Sequence, residues 1–219
     1  MLEMPNISGN FDTYKEEKDS VRYFLKKMGC DMNTVLVEKY GGDNVSDRAM
    51  MDEADVIARF SDGKTLLFEV KQESTARFSR WGQLGFDMIS QFQFKEGRTF
   101  DKRVHHPRDF ERFMSCVDKE RPGFKWGKVR YSGSDIWLFY VKDEAGQYVF
   151  CEGYDFAKMK ENTIMAYLSY NCPFAVNSKN SRQMSHEDTW QSATFFVYPR
   201  EIEQYKITPE SFPDLLNRD

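Results

Sequence analysis

The sequence predicts a mixed α/β protein with a central mixed β-sheet flanked by helices. Three observations lead there. Runs rich in β-branched and aromatic residues, bounded by turn residues, fall at 34–40, 53–60, 64–71, 135–141, 147–152 and 193–198, which is strand chemistry. Between them lie segments whose apolar residues recur at three- and four-residue steps, the helical period. Apolar residues make up 40% and aromatic residues 16% of the chain, enough for a packed core and too many for a disordered one. A length of 219 residues suits one elaborated domain spanning 1–219.

The elements follow in order. Residues 12–29 read as a helix, capped by Asp12 or Thr13 and ended by Gly29, with Tyr14, Val21, Phe24 and Met28 as its apolar stripe. Thr34 to Tyr40 is a strand, and 41–48 a loop. Strands at 53–60 and 64–71 are joined by Ser61-Asp62-Gly63. A helix is expected over 79–94, with Trp81, Leu84, Met88 and Phe92 on one side. Residues 96–108 form a basic connector, and a helix opened by Pro107 runs to about Lys119. Strands at 135–141 and 147–152 precede a helix over 154–167. Residues 177–188 are polar and turn-rich, a loop before the strand at 193–198 and the short helix opened by Pro199.

Composition narrows the function. The net charge of −4 argues against passive coating of nucleic acid, and it allows an enzyme whose carboxylates hold metal while local basic patches grip phosphates. No run approaches the roughly 18–20 apolar residues that span a bilayer, and no signal peptide is visible, so a soluble, cytoplasmic protein without a membrane partner is expected. Cys30, Cys116, Cys151 and Cys172 form no CxxC pair and read as free thiols. There is no GxxxxGK[ST] loop for ATP.

The hairpin at Ser61-Asp62-Gly63 carries the chemistry. A three-residue loop with glycine third is commonly a type I turn followed by a left-handed residue. Phe60 then pairs with Lys64, and counting back along both strands sets Asp55 opposite Glu69 and Glu53 opposite Lys71. Directly paired residues share a face, with Cβ atoms ~4.5–5.5 Å apart. Ala54, Val56, Ala58, Phe60, Leu66, Phe68 and Val70 point to one face; Asp55, Ile57, Leu67, Glu69 and Lys71 point to the other. Paired carboxylates suit Mg²⁺ or Mn²⁺, with the Val70 carbonyl as a further ligand, and Lys71 would position water or offset phosphate charge. The bland account of the same residues is a cross-strand salt bridge. Glu17 falls in the apolar stripe of the first helix, where a carboxylate is costly unless paired or bound to a metal; a glutamate snorkelling to the surface from the stripe's edge fits equally well.

Asp55 and Glu69-Val70-Lys71, on a helix–strand–hairpin order, resemble the PD-(D/E)xK, or restriction-endonuclease-like, nuclease superfamily. Ser132-Gly133-Ser134-Asp135-Ile136-Trp137 and Phe195-Phe196-Val197-Tyr198-Pro199-Arg200 are similar to later segments of small phage and mobile-element members. The likeness covers about 12–95 with some specificity and 130–205 in pattern, leaving 96–129 as an insertion. Ala54 stands where the family has its proline. The resemblance implies a Mg²⁺- or Mn²⁺-dependent deoxyribonuclease, with Asp55, Glu69 and the Val70 carbonyl as ligands, Lys71 acting on water, and Glu17 assisting. Gln83, Asp87 and Gln91 lack the Gln-xxx-Tyr of exonuclease-like members, so endonuclease is the first expectation and exonuclease stays open. Dimerisation is common in the superfamily, so a homodimer is an expected assembly. The rival expectation is a catalytically inactive nucleic-acid-binding or repair accessory protein on the same fold.

Ser74, Thr75, Arg77 and Arg80 follow at once and suit phosphate contacts near a helix start, as ordinary helix-entry residues also would. Glu73 continues the polar parity of Glu69 and Lys71, either as support for the ion or as a solvated strand end. His105-His106 reads as part of the basic connector rather than a catalytic pair, and His186-Glu187-Asp188 lacks HExxH spacing. Lys179 and Arg182 would close over a substrate, a weaker reading than a solvated loop.

Overall fold

A computed structural model describes residues 8–40, 54–101, 103–179 and 190–218. In chain order the elements are α1 (Ser8–Lys27), β1 (Val35–Lys39), β2 (Val56–Phe60), β3 (Thr65–Gln72), α2 (Thr75–Trp81), β4 (Leu84–Phe92) and β5 (Val104–His105). Then come α3 (Phe110–Cys116), β6 (Lys125–Trp126), α4 (Lys128–Tyr131), β7 (Ile136–Lys142) and β8 (Tyr148–Asp155). The remainder is α5 (Phe156–Glu161), α6 (Ile164–Asn171), β9 (Phe174–Lys179), β10 (Trp190–Val197) and α7 (Phe212–Leu216). The protein is mixed α/β. Among the described residues there are two sheets instead of one central sheet, in two compact units: Met1–Ala76 with Gly133–Lys158 and Gln204–Asp219, and Arg77–Ser132 with Met159–Glu203.

The first unit holds a five-stranded sheet in the order β1-β2-β3-β7-β8, antiparallel except where β3 runs parallel to β7. Its hairpin has the expected register, with Val56 opposite Phe68 and Arg59 opposite Thr65. Gly63, at φ +88°, takes the left-handed position that closes the turn, and Phe60 N–H donates to the Lys64 carbonyl at 2.9 Å. The apolar face is as alternation predicts: Val56, Ala58, Leu66, Phe68 and Val70 pack with Val21, Phe24, Leu25 and Met28 of α1 and with Phe212 and Leu215 of α7. The Phe24 ring stands edge-on to Phe68 and Phe212, at 6.2 and 6.4 Å. Burying such a ring stabilises the fold by about 2–3 kcal/mol.

The second unit is built on an antiparallel sheet in the order β5-β9-β10-β4-β6. Phe86, Met88, Ile89 and Phe92 of β4, Phe174 of β9 and Phe195 of β10 are all fully buried. Phe113 of α3 lies 5.4 Å from Phe92 and 5.2 Å from Phe174. Residues 96–129, read from sequence as an insertion, supply β5, α3 and β6 to this unit.

Four expectations are corrected. The helix expected over 79–94 is the short α2 followed by β4, because Leu84, Met88 and Phe92 recur at four-residue helical steps while the residues between them, Phe86 and Ile89 among them, are buried on a strand. The helix expected over 154–167 is preceded by the end of β8 and broken at Thr163, whose φ is +54°. The helix from Pro107 begins as a 3-10 turn and ends at Cys116. The expected loop at 177–188 begins inside β9. Its remaining residues, with Arg182 and His186-Glu187-Asp188, lie outside the described residues, as do 41–48 and Glu53. Among the described residues no helix is long and apolar enough to cross a membrane. The four cysteines are free, and burial pushes the Cys151 and Cys172 thiols up to about 12.

Candidate active site

The site grows from the open end of the β2–β3 hairpin. Pairing stops at Val56 and Phe68, one step short of Asp55. There the backbone N–H of Asp55 donates to the Phe68 carbonyl at 2.9 Å, and its side chain replaces the next rung: Oδ2 accepts the Val70 N–H at 2.9 Å. A carboxylate bonded to a ladder N–H lies near the plane of the sheet. The N–H and C=O of one strand residue point the same way. The Val70 carbonyl therefore faces the side where Asp55 sits. Asp55 and Val70 together present oxygens beyond the end of β2.

Glu69 and Lys71 share the other face of β3. Glu69 is only 1% exposed, and Lys71 Nζ stands 3.6 Å from its Oε1. In the parallel ladder Glu69 is beside Trp137 and Lys71 beside Phe139, both fully buried. Aromatic walls lower the local dielectric, so a carboxylate there is costly without a compensating cation. Lys71 supplies one, while keeping 23% of its side chain exposed. Glu73, the next residue of that parity, is also buried, and its N–H donates to the Tyr140 carbonyl at 2.9 Å.

Glu17 occupies a different place. It is half-buried on α1, which packs on the apolar face, and its charge, after burial and Glu16, helps push the Tyr140 phenol up. By strand parity Tyr140 belongs to that face. Glu17 and the Glu69–Lys71 pair thus stand on opposite faces of the sheet. The helical stripe in the sequence places Glu17 on an inward row and cannot tell which face of the sheet that row meets.

Ser74 is exposed just after β3, and Thr75 Oγ1 donates to the Lys142 carbonyl at 2.5 Å, tying the start of α2 to the end of β7. Arg77 and Arg80 belong to the second unit. The Arg77 guanidinium lies 4.7 Å from the Phe196 ring and that of Arg80 4.8 Å from the Trp81 ring, with Arg80 exposed. His105 is a core residue: it stacks 5.2 Å from Phe174, and its Nε2 lies 3.0 Å from Asp101 Oδ1. His106 is exposed and accepts the Arg108 N–H through Nδ1.

Two further residues shape the site. Asp135 clamps β7 to β3, its Oδ2 accepting the Leu67 N–H at 2.8 Å and its own N–H donating to the Leu67 carbonyl at 2.9 Å. Trp137 walls Glu69 and stacks on Phe156 at 4.5 Å. The Ser-Gly-Ser turn before Asp135 marked the segment without revealing the clamp.

The oxygens that the sequence suggests as donors are those of Asp55, Glu69 and the Val70 carbonyl. Such donors suit a hard cation such as Mg²⁺ or Mn²⁺, and Mg²⁺ commonly keeps several waters. Among the described residues no three His, Cys, Asp or Glu side chains gather into a metal-holding group. No protein-family model, no curated protein and no solved structure matches this chain.

Proposed function

We propose that the chain is a metal-dependent nuclease of the restriction-endonuclease-like kind, cutting DNA phosphodiester bonds, with endonucleolytic action the first expectation. The observation that carries the reading is the buried Glu69 carboxylate held 3.6 Å from Lys71, on the strand whose Val70 N–H is bound by Asp55. Asp55, Glu69 and the Val70 carbonyl would hold Mg²⁺ or Mn²⁺. Such an ion, when bound, supplies positive charge to a phosphodiester and acidifies nearby water.

The chain's own residues do the rest. Glu69 orients the Lys71 ammonium. Lys71 positions a water or offsets the negative charge that grows on the phosphate. Trp137 and Phe139 exclude bulk water from that pair, strengthening its field. Ser74, Arg77 and Arg80 suit phosphate contacts. Glu17, on the other sheet face, acts at most through its charge. The resemblance to phage and mobile-element nucleases and an intracellular, dimeric setting belong to the same proposal.

The test is cleavage of supercoiled, linear and single-stranded DNA with Mg²⁺ or Mn²⁺. Lys71→Ala, Glu69→Gln and Asp55→Ala are each expected to lose about 10²-fold or more. Asp55→Asn keeps an oxygen for the Val70 N–H and loses the charge, so it should stay folded and still lose activity. Glu17→Ala should lose less than about tenfold, the low end for an indirect electrostatic role. Full metal-dependent cleavage by the Lys71, Glu69 and Asp55 variants would sink the reading. The rival, an accessory protein that binds nucleic acid without cutting, draws on the lack of a third clustered ligand among the described residues. Calorimetric Mn²⁺ titration separates the two: carboxylate-dependent uptake favours the enzyme.

A further inference from the structure

The net acidity of the chain is unevenly shared. The first unit carries 14 Lys and Arg against 23 Asp and Glu, and the second carries 17 against 12. Within the second unit, residues 119–131 hold five cations, Lys119, Arg121, Lys125, Lys128 and Arg130, and one acid, Glu120. This stretch contains β6, the last strand of its sheet, and α4.

The fold presents these cations in a particular way. Gly127 lets the chain turn tightly against β4: a Cβ there would meet the Asp87 carbonyl oxygen at 1.8 Å. Its N–H donates to the Met88 carbonyl at 2.6 Å. The turn brings the Arg130 guanidinium to 4.2 Å from the Trp126 ring, whose other neighbour, Phe124, stands edge-on at 5.2 Å. Arg121, Lys125 and Arg130 are exposed, and Tyr131 is 40% exposed beside them. Among the described residues Arg121, Lys125 and Arg130 meet no carboxylate. In the first unit, by contrast, Arg22, Arg59, Lys64, Lys142, Lys206 and Arg218 each do.

Charge that protects an edge strand from mispairing would account for Lys125 alone. It does not account for several unneutralised cations in a stretch with one acid, one of them a guanidinium 4.2 Å from an indole ring. A planar fork resting on an aromatic ring, with its N–H groups unspent on a carboxylate, is suited to bidentate phosphate contact. We propose that the β6–α4 corner is a DNA-backbone contact surface, gripping phosphates through Arg121, Lys125 and Arg130, with Trp126 positioning Arg130. The inference deepens the nuclease reading and rests on it for the choice of DNA as the polyanion. It concerns a surface separate from the residues assigned to cleavage.

The experiment is fluorescence anisotropy of the full chain with a labelled DNA duplex in EDTA, over a series of salt concentrations. Binding without divalent metal is read apart from cleavage. The Arg121→Ala/Lys125→Ala/Arg130→Ala variant is expected to bind at least about tenfold more weakly at 0.1 M salt, with the slope of log K against log salt smaller in magnitude by about 2–3. The Arg22→Ala/Arg59→Ala variant, which also removes exposed cations but from ion pairs in the first unit, should match the wild type. A thermal melt of each variant confirms folding. An unchanged triple variant, a control that weakens equally, or a wild type that binds no DNA would each overturn the proposal. Wild-type binding that the triple variant loses, without any cleavage in Mg²⁺, would leave this surface standing and remove the nuclease reading alone.

Discussion

The residues that govern this molecule are carboxylates put to opposite uses. Asp55 caps a ladder, Glu69 faces a lysine among aromatic rings, and Asp155 is tied to the chain's end. Burial pushes Asp155 up, but hydrogen bonds from Arg218 and the Lys158 N–H, with both cations' charges, outweigh it and hold its carboxyl below the usual range. The sign follows from linkage. A carboxylate with a depressed folded-state pKa stabilises fully above its unfolded-state value, and that stability is lost as pH falls through the folded value. Asp155→Asn should therefore cost about 1.5–3 kcal/mol at neutral pH, the range for a hydrogen bond to a charged group. It should cost much less in strong acid, where Asp155 is protonated in both states. Urea unfolding at a series of pH values measures this, and a cost that does not shrink toward acid would refute the assigned cause. The register that sets Val56 opposite Phe68 was legible, because turn chemistry fixes hairpin register, but the Asp55 cap on the Val70 N–H was not. Nor were the partners of Asp135 and Asp155, since both pair across long sequence separations that no local pattern encodes.

Elements were legible where a β-branched and aromatic run was bounded by turn residues, as in the buried β7 and β10, and obscure where a strand's apolar residues also fell at helical steps. The hairpin strands alternate cleanly, so their faces could be assigned, and α1 showed its stripe. In β4 both faces are buried, and Leu84, Met88 and Phe92 fall by accident on a helical row. The break between α5 and α6 was hidden for another reason. Thr163 sits at φ +54°, ψ +45°, a left-handed conformation that a β-branched residue rarely adopts, so nothing in its identity announced a helix end. The backbone N–H groups of Ala166 and Tyr167 both donate to the Thr163 carbonyl, which holds the bend in place. Thr163→Gly removes the clash of Cβ in that conformation at some cost in unfolded-chain entropy. The expected net gain is about 1 kcal/mol, or a rise of about 2–4 °C in melting temperature for a chain of this size. A calorimetric scan showing destabilisation would mean that the threonine side chain contributes more than its backbone strain costs.

At the scale of the whole molecule, periodicity identified strands but could not sort them into two sheets. That sorting depends on pairings such as β4 with β10, about a hundred residues apart in sequence by the residue numbers. Each unit is discontinuous, so the chain passes between them four times. The consequence is cooperative dependence. The second unit's sheet takes its central strand, β10, and the neighbouring β9 from beyond the first unit's β7 and β8, and the first unit in turn takes α7 from the far C-terminal end. A fragment ending at Ser132 would hold α1 and the β2–β3 hairpin without β7 and β8, and β4 without its long neighbour β10, keeping only the two-residue β6 beside it. It would also expose Phe68, Val70, Phe86 and Phe92, which are buried in the intact chain. Such loosely covered strands lack the buried area that offsets ordering entropy, and their open edges invite association. The fragment should therefore show no cooperative thermal transition and little amide protection in hydrogen exchange, while the full chain shows both. A fragment that melts cooperatively with protected amides in β2 and β3 would show instead that the hairpin bearing Asp55, Glu69 and Lys71 is stable without the strands that wall it, and the role given to Trp137 and Phe139 in burying Glu69 would then have to be withdrawn.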